Sequence, residues 1–150
     1  MIYVECKPDF ELIRSLGISK RKIIHCGGKA RVCKKLQKNF NSKGVVDEDP
    51  NSVLPSYMIN IKKVDEGSDL KLLYDEKRNN YVVVICPKLE DWVLKVSKIN
   101  DIPVKKYGLS NDIDEFEKEI NHNLDKFRKL LNALNKTKEF KVLKKFLVKK

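Results

Sequence analysis

Residues 45–50 read Val-Val-Asp-Glu-Asp-Pro, and few structural contexts can hold such a run. The β-branched pair suits the end of a buried strand, the proline stops it, and three carboxylates stand at the join. Ionised carboxylates are costly to crowd together, so a run of this kind is either solvated or arranged around a cation. A surface turn built from acids and a proline is the ordinary alternative. The run gains weight from Ile2-Tyr3-Val4-Glu5, a second short apolar stretch that also ends on an acid. Side by side in one sheet, the two strands would bring Glu5, Asp47 and Asp49 to a single edge. In an extended chain Asp47 and Asp49 point the same way and Glu48 points elsewhere.

The residues between these strands predict how they are joined. Pro8, with Asp9 and Glu11 in the first turn, opens a helix whose inward face is Phe10, Leu12, Ile13 and Leu16, and Gly17 ends it. Ile23-Ile24-His25 reads as a second strand, and Gly27-Gly28 as a tight turn. A helix then runs from about Lys29 to Phe40 with Val32, Leu36 and Phe40 apolar, ahead of a third strand at 44–47. The order β-α-β-α-β predicts an α/β fold with a mostly parallel central sheet flanked by helices. Ligand sites on such sheets lie beyond the carboxyl ends of the strands, near a switch in strand order. Glu5 and Asp47 both fall there.

Farther along, residues 51–67 read as mostly irregular, with Tyr57, Met58 and Ile61 tucked inward. A hairpin is expected at 70–74 and 81–86, the second strand fully buried, followed by a helix that Pro87 starts and that ends near Lys98, with Trp92 in the core. From Ile113 one apolar stripe, Ile113, Phe116, Ile120, Leu124, Phe127, Leu131 and Leu134, predicts a long amphipathic helix. A last helix over about 137–148 buries Phe140, Leu143 and Leu147 and turns its lysines outward. The 150 residues fit a single domain, with a core of about 1–100 and C-terminal helices over about 110–150. No apolar run is long enough to span a membrane and the N-terminus lacks the regions of a signal peptide, which predicts a cytoplasmic protein.

A formal net charge of +11 suggests a polyanionic partner such as nucleic acid. Cysteines at 6, 26, 33 and 86 form no Cys-x-x-Cys pair, so a structural role as reduced thiols is expected rather than a zinc site. His25 is expected to be a hydrogen-bonded structural histidine. Gly27-Gly28-Lys29 matches neither nucleotide-loop pattern, yet it opens a helix from which Lys29 and Arg31 could reach a phosphate backbone.

Ile-Tyr-Val-Glu-Cys-Lys-Pro-Asp at 2–9, the glycine pair at 27–28 and Val-Val-Asp-Glu-Asp-Pro at 45–50 resemble the Toprim (topoisomerase-primase) superfamily. Small stand-alone Toprim-like proteins and the OLD-type nucleases are the most similar branch. The resemblance covers roughly residues 1–100 and implies a Rossmann-like fold. It gives Glu5 the place of the motif glutamate, and Asp47 and Asp49 that of the family's Asp-x-Asp. Asp9 matches a further acid of the OLD-type pattern, and Glu90 stands where such proteins often carry another. Cys6 occupies a position that is usually small, and no Ala-Gly follows the acidic stretch, which points away from the primase branch.

The resemblance implies a Mg²⁺- or Mn²⁺-dependent nuclease acting on DNA or RNA, in which two metals about 4 Å apart activate water and stabilise the leaving oxygen. Glu5, Asp47 and Asp49 would be the catalytic and metal-binding acids, with Asp9 and Glu90 as further ligands. Lys7, Lys29 and Arg31 would contact the nucleic acid. Many OLD-like nucleases work with an ATPase and this chain has no ATP-binding loop, so a neighbouring ATPase gene would favour a partnered effector. The rival readings are a non-catalytic or partner-activated nucleic-acid-binding module, and phosphate-monoester or nucleotide hydrolysis by the same acids.

Overall fold

A computed structural model describes residues 1–149. In chain order its elements are β1 (Ile2–Val4), α1 (Lys7–Ser15), β2 (Ile23–His25), α2 (Lys29–Lys38), β3 (Lys43–Asp47), α3 (Ser56–Ile59) and β4 (Lys62–Gly67). There follow β5 (Leu70–Asp75), β6 (Asn80–Ile85), α4 (Leu89–Ile99), α5 (Ile113–His122), α6 (Leu124–Leu134) and α7 (Lys138–Leu147). The six strands form one mixed sheet in the order β2-β1-β3-β6-β5-β4. The first four are parallel, while β5 runs antiparallel to β6 and β4 antiparallel to β5 at the far side. The architecture is α/β, with a mostly parallel sheet flanked by helices, and is compatible with a Rossmann-like fold.

Strand order locates the site. From β1 the chain moves one way to β2, then crosses back over β1 to β3. Right-handed crossovers in opposite directions put their helices on opposite faces. Accordingly, α1 packs Leu12, Ile13 and Leu16 into one core, while α2 packs Val32, Cys33 and Leu36 into the other. The switch therefore lies between β1 and β3, directly under Glu5 and Asp47. In β6 every residue is buried: Tyr81, Val83 and Ile85 face the first core, and Val82 and Val84 the second. That explains its unbroken apolar run. Helices α4 to α7 all join the core of α1. Glu11 and Arg128 link α1 to α6 by two bonds of 2.8 and 2.9 Å.

Three expectations are corrected. Residues 51–67 hold α3 and the edge strand β4, whose residues 62–64 are exposed and so carry no apolar alternation to read. Phe40 lies outside α2 and is 65% exposed, because the helix ends at Lys38. The long helix from Ile113 is broken at Asn123, whose side chain accepts the Lys126 N–H and caps α6. Phe116 and Phe127 would stand about 16 Å apart along one straight helix. Their rings instead meet edge-on at 6.3 Å, because α5 and α6 fold against each other. No helix is long and apolar enough to cross a membrane, among the described residues.

One buried polar residue pins the amino edge of the sheet. Asn80 accepts the Ser42 N–H at 2.9 Å and donates to the carbonyls of Leu36 and Asn39 at 2.8 and 3.0 Å. It thereby holds the end of α2 and the start of β3 against β6. Asn80→Leu strands these groups away from water and is expected to cost about 2–4 kcal/mol. Urea denaturation measures it, and a loss under about 0.5 kcal/mol, the usual range for surface substitutions, would remove this role.

Candidate functional site

Beyond the last ladder pairs of β1 the chain stays pinned. The Cys26 N–H donates to the Val4 carbonyl at 2.8 Å, and the Gly27 N–H to the Glu5 carbonyl at 2.9 Å. Gly27 has φ of +94°, and a Cβ there would meet the Arg31 guanidinium at 3.0 Å, so the turn requires glycine. This turn brings the N-terminus of α2 to Glu5, whose carboxylate is favoured by the Lys29 main-chain N–H and by the Lys29 charge. Across the switch point the Asp47 N–H donates to Glu5 Oε2 at 2.7 Å. An Asp carboxylate lies within about 4 Å of its own nitrogen, so the two carboxyl groups stand within roughly 7 Å. Carboxylates at that separation can serve a two-metal site, whose ions stand about 4 Å apart.

Asp47 Oδ1 in turn accepts the N–H of Leu89, the first residue of α4, at 3.0 Å. Asp9, in the first turn of α1, is 1% exposed. Its Oδ2 accepts the Cys6 N–H at 3.1 Å and the Cys6 thiol at 2.9 Å. Its Oδ1 is buried and has no hydrogen-bond partner among the described residues. Glu90 is buried in the first turn of α4. Three helix N-termini thus converge on the carboxyl edge, each presenting or holding an acid.

The electrostatics tie these acids into one cluster. Burial, then the charges of Glu5 and Glu90, push Asp9 up to about 7. Burial, then Asp9, Glu5 and Glu90, push Asp47 up to about 8. Burial also raises Glu5, with Asp49 adding to the rise and the Asp47 N–H and Lys29 opposing it. Glu90 is raised by burial and then by Glu117 and Asp91. Burial likewise pushes the Cys6 thiol far up, so it acts as a donor to Asp9 rather than as a nucleophile.

Hard oxygen donors, mutual repulsion and an unpartnered carboxylate oxygen suit Mg²⁺ or Mn²⁺. Among the described residues, however, no three His, Cys, Asp or Glu side chains are arranged as a finished metal cage. The two observations describe different things. The acids share one electrostatic neighbourhood, while Glu5, Asp47 and Asp9 each spend an oxygen on nearby main-chain N–H groups.

Asp49 reaches the cluster by another route than strand alternation. β3 ends at Asp47, and Asp49 has φ of +42° with its N–H donated to the Pro87 carbonyl at 2.9 Å. It still lies close enough to Glu5 to raise its pKa. Glu48 turns away to pair with Lys71 at 2.8 Å, as the pattern predicts. Lys29 Nζ donates to the Glu48 carbonyl at 3.0 Å and to Ser52 Oγ at 3.4 Å, so it steadies the acidic loop. Lys7 and Arg31 are exposed on α1 and α2.

Other readings divide. All four cysteines are free. Trp92 is core, stacking on Phe140 at 5.2 Å and donating to the Ser68 carbonyl at 2.8 Å. His25 is exposed at the end of β2, with no hydrogen-bond partner among the described residues, because the edge strand leaves its carboxyl end uncovered. Glu117 is the neighbour of the cluster that the sequence hides. It belongs to α5, and nothing in an amphipathic pattern says which other element its polar face approaches. No protein-family model, curated protein or solved structure matches this chain.

Proposed function

We propose that this chain is a divalent-cation-dependent nuclease of the Toprim type, hydrolysing phosphodiester bonds of DNA or RNA. The observation that carries the reading is the meeting of Glu5, Asp9, Asp47 and Glu90 at the switch point, with Asp9 Oδ1 buried and unpartnered. In this reading Glu5, Asp9 and Asp47 hold Mg²⁺ or Mn²⁺, and Asp49 and Glu90 complete the oxygen set. A bound cation of this kind supplies an acidified water and neutralises charge on a phosphoryl oxygen. Glu5, its proton affinity raised by burial, is suited to act as a general acid or base. Lys29 keeps the acidic loop in place, and Lys7 and Arg31 bind phosphates beside it. The OLD-type resemblance extends the proposal to an ATPase partner.

One observation favours a second reading, a partner-activated or non-catalytic nucleic-acid-binding module. The carboxylates are held by main-chain N–H groups rather than converged into a cage. A partner that shifts the start of α1 or α4 would free those oxygens. Plasmid DNA and a structured RNA, incubated with the purified chain and Mn²⁺ or Mg²⁺, separate the two. Nicking or degradation that stops in EDTA is expected. No cleavage of either, with no heat of cation binding by calorimetry, would leave the binding module.

A further inference from the structure

One part of the fold is basic without a single interspersed acid. Residues 12–46 contain ten of its 32 Lys and Arg and none of its 21 Asp and Glu. That span carries +10; residues 126–150 carry a further +9, with one acid among them, and the remaining segments are net negative. It builds the edge strand β2 and the helix α2, with the last turn of α1 and most of β3. No cation of this span forms an ion pair among the described residues, whereas Lys63, Lys71, Arg78, Lys95, Arg128 and Lys145 elsewhere all do. Evenly mixed charge, the usual condition of a solvated surface, is absent here.

The side chains are ordered as well as numerous. Arg31, Lys34, Lys35 and Lys38 recur at helical spacing on one exposed stripe of α2, opposite the buried Val32, Cys33 and Leu36. Lys35 reaches back toward Cys26 at the end of β2. Lys20, Arg21 and Lys22 are exposed in the turn that enters β2, on the other side of the same edge. At 1.5 Å per residue the helix gives a track about 15 Å long. Its N-terminal end is Lys29, which already touches the acidic loop.

We propose that this β2–α2 edge holds a nucleic-acid backbone and leads it to the carboxyl-edge acids. The destination of the strand rests on the nuclease reading; the binding surface does not. A membrane surface fits less well, because a helix lying on lipid buries its apolar face in the bilayer. Here that face is already buried against the sheet. A duplex carries one phosphate charge per roughly 1.7 Å of axis, so a track of this length faces several of them.

The test is binding without cleavage, by fluorescence anisotropy in EDTA, on a labelled DNA duplex, its single strand and the matching RNA. The triple variant Lys34→Gln/Lys35→Gln/Lys38→Gln is compared with Lys138→Gln/Lys141→Gln/Lys144→Gln, which removes equal charge from α7. All six side chains are exposed, and thermal melts check that both variants fold. The α2 variant is expected to lose affinity by roughly tenfold or more and to lower the salt slope by about 2–3. Lys34→Arg/Lys35→Arg/Lys38→Arg is expected to bind as the parent does. The α7 variant is expected to stay within about a factor of two, since charges beyond a Debye length are screened. Equal losses in both glutamine variants would overturn the proposal in favour of net charge alone. Undiminished binding in the α2 variant, or binding only to anionic lipid vesicles, would overturn it too. Loss of binding in the α2 variant, with no cleavage under any condition, would sustain this surface and remove the nuclease reading.

Discussion

Asp47→Asn is expected to lower cation-dependent cleavage of plasmid DNA by at least about a hundredfold, since groups that merely support metal ligands already cost about 10–100-fold. The substitution is chosen to spare the fold. Asparagine keeps an oxygen for the Leu89 N–H, and the Glu5 carboxylate still accepts the Asp47 main-chain N–H. What it removes is the acid at the centre of the cluster, whose proton affinity burial and then Asp9, Glu5 and Glu90 all raise. Calorimetry should show weaker Mn²⁺ binding in the same variant, with an unchanged melting temperature in EDTA or a higher one. Glu48→Gln is the control, because Glu48 faces Lys71 and away from the cluster. Cleavage that survives in both Asp47→Asn and Asp49→Asn would place the chemistry elsewhere in the molecule.

Without a cation, the protein should lose stability as pH rises, and Asp9→Asn should relieve the loss. Asp9 and Asp47 have folded-state values of about 7 and 8, well above the ordinary carboxylate range. Between about pH 4 and those values the folded state keeps protons that the unfolded chain has released. Their contribution is therefore complete below about pH 4 and disappears as pH rises through 7 and 8. In EDTA the melting temperature of the wild type is expected to fall between pH 5 and pH 8. Asp9→Asn replaces a buried, unpartnered acid, so it should remove roughly 1–3 kcal/mol of that penalty at pH 8. At about 2–4 °C per kcal/mol, this is a shift of several degrees. Mn²⁺ at a hundred times its dissociation constant should add about 2.7 kcal/mol to the wild type, and less to the variant. A melting temperature equally flat with pH in both proteins would show that Asp9 carries no buried charge.

These two experiments ask different things of the cluster. The first asks whether its charge does chemistry, and the second whether the fold carries that charge at a cost. If both expectations hold, the acids are retained against their own repulsion, as expected of a functional site. If only the second holds, the cluster binds a cation without hydrolysing a phosphodiester.

The early part of the chain was legible for local reasons. Pro8 and Gly17 bracket α1, the glycine pair precedes α2, and the unbroken Tyr81–Ile85 run sits in a strand covered on both faces. Such signals act within a few residues, so they survive without knowledge of the neighbours. The edge strand β4 was not legible, since one exposed side of a sheet needs no apolar pattern. Nor was the break at Asn123, where the apolar stripe continues in register through both helices. A continuous stripe says that a face is buried, not whether one straight helix or a folded pair buries it.

By itself the sequence determined the element order from β1 to β3, the identities of the acids at the strand ends and the outward turn of Glu48. It did so because side-chain alternation and strand-to-helix punctuation are short-range physics. Only the tertiary structure decided that β1 and β3 are neighbours, that Asp9 is buried with one oxygen unpartnered, and that Glu90 and Glu117 approach the same edge. It also changed the reason Asp49 belongs to the site, from strand alternation to a left-handed turn held by the Pro87 carbonyl. A carboxylate's proton affinity depends on what surrounds it within a few ångströms. Those surroundings come from residues tens of positions away, as Glu90 is from Asp9, and only the packed chain brings them together.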